Sequence, residues 1–120
     1  MRIMKDIVEV EGISKLGPYS LAVKSNNLVF LSGQTGDGAD FKTQFNNAMS
    51  KIKTILEKSN SNLEKVLKVT VYLSNAKYFQ EMNSIYSSYF KDKYPARTTV
   101  VTGFANDKVL VELDVISTVD

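Results

Sequence analysis

This sequence predicts an α+β fold in which two helices lie on one face of a mixed β-sheet. Three observations predict it. Two segments place apolar residues at three- and four-residue spacing, as an amphipathic helix does. Five others are short, apolar or alternating, and rich in β-branched side chains. Their order, β-β-α-β-α-β-β, reads as an α+β layer rather than as repeated βαβ units. At 120 residues the chain is expected to form a single domain, 1–120, with a modest core.

The first two strands are Leu21 to Lys24 and "LVFLS", Leu28 to Ser32, joined by the turn-forming cluster "KSNN". "TGDGAD" then breaks structure with two glycines and ends on Asp40, a helix N-cap. From there Phe41, Phe45, Ala48, Ile52, Ile55 and Leu56 form one stripe, which predicts a helix of four to five turns with lysines on its far face. "KSNSNLEK" stops it, and "VLKVTVYLS", Val66 to Ser74, alternates as a strand. A second helix is expected to begin at Ser74 or Asn75 and to run through Phe79, Met82, Tyr86 and Phe90. Pro95 disfavours helical geometry at Tyr94, so this helix ends before it. "RTTVVTG" and "KVLVELDVIST" close the chain as strands around a turn at "FANDK".

Composition excludes much. The net charge of +2 comes from 15 basic and 13 acidic residues spread along the chain, so no basic patch points to nucleic acid as a partner. The opening "MRIMKDIVEVEG" is charged throughout and lacks the apolar centre of a secretion signal. No apolar run approaches the roughly 20 residues of a membrane span, so the chain is expected to be soluble and cytoplasmic. It has no histidine and no cysteine, which removes disulfides, thiolate nucleophiles, Cys/His zinc sites and Ser-His-Asp machinery. A metal would have to be an oxygen-ligated hard ion, and no Asp-rich loop is present to hold one. Any chemistry rests on Arg, Lys, Glu, Asp, Tyr, Ser, Asn or backbone groups.

Two features stand out against that background. In "VLVELDVI" one face is Val109, Val111, Leu113 and Val115, and the other is Leu110, Glu112, Asp114 and Ile116. A second face that is half apolar and carries two carboxylates suggests contact with another subunit, the alternative being a solvated sheet face. In "KYPARTTVV" the chain places Arg97, one of two arginines, between a proline turn and a β-branched run. The other, Arg2, stands near the N-terminus. A guanidinium can hold a carboxylate through two parallel hydrogen bonds, as lysine cannot, although an arginine in a surface ion pair is common.

Seven stretches in order resemble the reactive intermediate deaminase family (Rid, also called YjgF). They are "GPYS", "LVFLSGQ", "TQ" at Thr43 and Gln44, "LEKVLKVTVYLSN", "FQEMNSIYSSYF", "PAR" and "VLVELDVI". The resemblance implies a chorismate-mutase-like homotrimer whose sheets form a central barrel, with ligand clefts at the subunit interfaces. It implies hydrolysis of enamine and imine intermediates such as 2-aminoacrylate to 2-keto acids and ammonia, without a cofactor. The alternative is a trimer that binds a 2-keto or amino acid and regulates without catalysis.

By the same resemblance Arg97 anchors the substrate carboxylate, and Glu112 positions the attacking water and relays protons. Glu112 is expected to face Arg97 from the neighbouring closing strand. Tyr19, after the Gly-Pro turn, would stack on the planar substrate. Ser32 would donate to the substrate carboxylate or amino group, Gly33 would allow close backbone approach, and Asn83 is either a polar cleft residue or structural. Thr99 stands where many members carry cysteine. The family's water contact there is through the backbone carbonyl. The loop after "SGQ" is shorter than usual, so one side of the cleft is expected to be more open or differently shaped. "FAND" replaces a leucine-proline pair.

Overall fold

Alternating burial along the central strands sets the architecture, which the computed structural model describes for residues 4–119. Arg2 lies outside them. The strands are β1 (Asp6–Val8), β2 (Ala22–Ser25), β3 (Leu28–Leu31), β4 (Val66–Leu73), β5 (Ala96–Val101) and β6 (Val111–Thr118). They form one sheet in the order β1-β2-β3-β6-β4-β5, antiparallel except for the parallel pair β4 and β5. The helices are α1 (Phe41–Lys58) and α2 (Phe79–Phe90). Along β6, Val111, Leu113, Val115 and Ser117 are buried and their neighbours are not. The buried set pairs with Val71 and Val69 of β4 and with Val29 of β3, and these join the helix stripes in one core.

The expected elements are present, with shifts at their ends. Asp40 caps α1 by accepting the Thr43 N–H at 2.8 Å, an interaction typically worth about 1 kcal/mol. The turn between β2 and β3 turns on Asn26 at a φ of 54°, a conformation asparagine tolerates. Asn75 does open a helical segment, but as the cap of a 3₁₀ turn (Ala76–Tyr78) that leads into α2. The short edge strand β1 was not expected. Its three residues carry too little pattern to register as a strand, and it exists by pairing with β2.

No helix among the described residues covers the second sheet face. Tyr72, Glu112, Asp114, Ile116, Phe30 and Val100 share it, and Phe30 remains 43% exposed. Half-apolar and uncovered, this is the face expected to meet another subunit.

The loop after Gln34, expected to leave one side more open, is strapped to α1. Gln44 donates to the Gly38 carbonyl (3.0 Å), Asn47 to that of Asp37 (2.6 Å) and Lys51 to that of Thr35 (2.9 Å). Residues 44, 47 and 51 lie on one helical face by their spacing, so one of the lysines assigned to a solvent face serves the loop instead. Gly36 packs on the α1 backbone so closely that a Cβ would overlap Gln44 and Ala48. Gln44 also donates to the Lys108 carbonyl (2.9 Å) and accepts the Leu110 N–H (2.8 Å), joining two loops through one buried amide.

Replacing Gln44 by leucine removes the partner of three backbone groups, of which the carbonyls of exposed Gly38 and Lys108 can turn to water while the Leu110 N–H is less accessible. Gln44→Leu is therefore expected to lower unfolding stability by about 1–3 kcal/mol in urea titrations. A loss below about 0.5 kcal/mol would show that water replaces the amide without cost.

Candidate active site

The expected site residues fall into two groups that do not meet within the chain. Arg97 pairs in register with Val69 of β4, and Val69 with Val115 of β6, so its side chain leaves the sheet on the helix side. Glu112 pairs with Tyr72 on the bare side. Strand β4 also lies between them. The expectation that Glu112 faces Arg97 from a neighbouring strand is thus overturned. The two positions differ in strand parity and in sheet order, neither of which can be read from sequence spacing.

The first group surrounds Glu112. A cavity of about 510 Å³ is lined by Tyr19, Gly33, Gln34, Lys51, Asn106 and Glu112 among others. Gly33 lets the Glu112 carboxylate lie against the backbone, since a Cβ there would occupy its position and displace it. Burial raises the Glu112 carboxyl above its ordinary range, and the Asp114 charge on the same face raises it further. Asp114 accepts the Tyr72 hydroxyl at 3.0 Å, and this hydrogen bond raises the phenol in turn. Tyr19 is 42% exposed at the cavity mouth, with its amide on the Gly17 carbonyl (3.0 Å) and its hydroxyl accepting the Leu16 N–H (3.4 Å).

Two residues of this region are structural as they stand. Ser32, expected to donate to substrate, gives its hydroxyl proton to the Ser20 carbonyl at 2.7 Å and so ties the end of β3 to the start of β2. Gln34 is buried and exchanges both backbone hydrogen bonds with Leu113 (2.8 and 3.0 Å).

The second group surrounds Arg97, half-buried between β5 and α2. No carboxylate among the described residues pairs with it. Its Nη1 donates to the Met82 sulfur at 3.4 Å. The guanidinium carbon lies 4.8 Å from the Tyr86 ring centroid and 5.9 Å from that of Phe79. Thr99, two residues along β5, points to the same side, and its buried hydroxyl has no partner among the described residues. Asn83 is half-buried on α2, and its spacing from Phe79 and Tyr86 puts it on the helix face that carries them.

Sequence reasoning missed Tyr86 and Met82 as companions of Arg97, since their helical spacing signals only core. It also gave Gln44 no role. A polar residue interrupting the apolar stripe between Phe41 and Phe45 was the available signal.

Comparison with known proteins places these residues in context. Residues 10–119 match the family model described as Endoribonuclease L-PSP. A RutC family protein of Pyrococcus horikoshii is 37% identical over 123 residues, covering 95% of this chain and 98% of the relative. A Rid family protein from Yersinia pestis, whose title gives its function as unknown, superposes with a TM-score of 0.90 at 29% identity, covering 97% and 100% of the two chains. RidA from an Antarctic Psychrobacter gives a TM-score of 0.89 at 28% identity, covering 95% and 99%.

The raised Glu112 carboxyl has a measurable consequence. A carboxyl raised in the folded state contributes stability that is full below its unfolded value and is lost as pH rises through the folded value. Glu112→Gln removes that loss. It is expected to raise the melting temperature at pH 7 and to leave it unchanged near pH 4, as measured by calorimetry. A gain that does not vary with pH would show that the carboxylate is not strained.

Proposed function

The chain belongs to the Rid (YjgF) family, and from that premise we propose that it is a hydrolytic deaminase of small 2-imino acids such as 2-iminopropionate. One observation carries the reading. Arg97 is a half-buried guanidinium with no acidic partner among the described residues, so its charge and forked donors are left for an anion from outside the chain. A 2-imino acid supplies that carboxylate.

The two separate groups suggest how the site is completed. Arg97, Thr99 and Asn83 belong to the α2–β5 edge, while Tyr19, Gly33 and Glu112 line the cavity. In a homotrimer with clefts between copies, one copy's Arg97 edge stands over the next copy's cavity. The uncovered half-apolar sheet face supports such an assembly.

Chemistry in that cleft needs no strong nucleophile. Arg97 holds the carboxylate, and water held by Glu112 adds to C2 while the C=N electron pair moves onto nitrogen. Glu112, whose raised carboxyl suits a proton relay, takes a proton from the water and delivers it to the amino group. A second transfer through Glu112 carries the hydroxyl proton to the nitrogen, the C–N bond breaks with its electrons on the departing ammonia, and the 2-keto acid remains. Alignment supplies most of what is required, because such imines already hydrolyse in water. Cleavage of RNA, suggested by the description of the family model, finds less support in a chain without histidine and with nearly balanced charge.

A pyridoxal-phosphate dehydratase that generates 2-aminoacrylate provides the assay. Two charge-assisted hydrogen bonds of about 1.5–3 kcal/mol each are at stake, so Arg97→Ala is expected to lower kcat/KM about 100-fold or more. An unchanged rate would remove Arg97 from the mechanism. Binding of 2-oxobutanoate that depends on Arg97, without turnover, would instead mark the chain as a ligand-binding regulator.

Mixed assemblies test the shared cleft. Arg97→Ala and Glu112→Gln chains, each nearly inactive alone, are expected to recover about a quarter of wild-type activity when refolded together, since half the clefts gain each intact residue independently. A mixture no more active than its parts would place the whole site within one chain.

A further inference from the structure

Arginines that must present their donors to a ligand are commonly oriented by an acid behind them. Arg97 is held otherwise. The soft face of Tyr86 at 4.8 Å and the Met82 sulfur at 3.4 Å form its seat, with the Phe79 ring at 5.9 Å. Both seat residues are nearly inaccessible, Tyr86 at 4% and Met82 at 0%. Four residues apart on α2, they share a helix face. Tyr86 is steadied by Phe90, whose ring centroid lies 4.9 Å away at a tilt of 45°.

Its hydroxyl is buried with no hydrogen-bond partner among the described residues, and the contact with Arg97 is made by the ring face.

We propose that Tyr86 is a positioning residue, whose ring seats the Arg97 guanidinium and aims its remaining donors at the substrate carboxylate. An acid in its place would orient the arginine but would also occupy the fork and cancel the charge that the substrate must meet. A ring face attracts the cation and takes none of its in-plane N–H donors. The inference rests on the deaminase reading through Arg97 and goes beyond it in naming what orients that arginine.

The test compares Tyr86→Phe, which keeps the ring, with Tyr86→Leu, which does not. Tyr86→Met, whose unbranched side chain fills an irregular gap more readily, replaces the leucine variant if that chain fails to fold. Kinetics with 2-iminopropionate, binding of 2-oxobutanoate by calorimetry and the Arg97 Nε–Hε resonance are measured for each, with Arg97→Ala beside them. Loss of the ring is expected to raise KM and the 2-oxobutanoate Kd about tenfold while kcat stays within about twofold. It should also move the Hε resonance away from its ring-shifted position, and Tyr86→Phe should restore all three.

Unchanged KM, Kd and resonance in the ringless variant would overturn the proposal. So would a phenylalanine variant as impaired as leucine, since that would put the function in the hydroxyl. If Arg97→Ala itself binds 2-oxobutanoate as tightly as wild type, the deaminase reading falls and the proposal falls with it. An intact arginine effect without a ring effect sinks the proposal alone.

Discussion

Strand parity decides what this chain can do alone. In a sheet, successive side chains leave opposite faces, and a helix layer can bury only one of them. The register that sends Val111, Leu113 and Val115 of β6 into the core sends Glu112 and Asp114 out of it. Through β4 the same register ties Arg97 to the buried side. A one-residue slip in β5 would put the arginine on the face that carries Glu112 and Asp114, one strand removed from both, where their charges would draw on it. Keeping them on opposite faces preserves each charge unspent.

That separation imposes a cost on each side, and the fold meets the two costs differently. Arg97 is half-buried without a counter-ion among the described residues, and a ring and a sulfur, polarizable groups with no charge, give it partial compensation. Glu112 is desolvated beside a second carboxylate, and both effects favour its protonated form. Both residues are therefore less comfortable in the single chain than their neighbours. A carboxylate ligand on the arginine and a water network on the glutamate would relieve each of them.

The core and the helix stripes were legible because burial repeats with a fixed period. Phe41, Phe45, Ala48, Ile52, Ile55 and Leu56 are all buried on α1, and Asp40 caps it. The candidate residues were legible one by one, because a lone guanidinium and a carboxylate on an alternating strand are unusual locally. Their arrangement was not. Which face a strand residue takes relative to a distant strand depends on pairing register, and β4 enters between β5 and β6 only through tertiary topology. Ser32 illustrates the same limit. Its hydroxyl is spent on the Ser20 carbonyl, twelve residues away, across a hydrogen bond that no local pattern announces.

The loop after Gln34 forms one wall of the cavity, and its carbonyls take their donors from a helix. Helix α1 provides them from one row, through Gln44, Asn47 and Lys51, and Gly36 lets the loop lie directly on the helix. Gln44 extends the same row to the loop that contains "FAND", through the Lys108 carbonyl and the Leu110 amide. Leu110 immediately precedes β6, so the amide that fixes both loops also fixes where the strand begins. The position of the Glu112 carboxylate against Gly33 thus depends on a helix residue that touches neither.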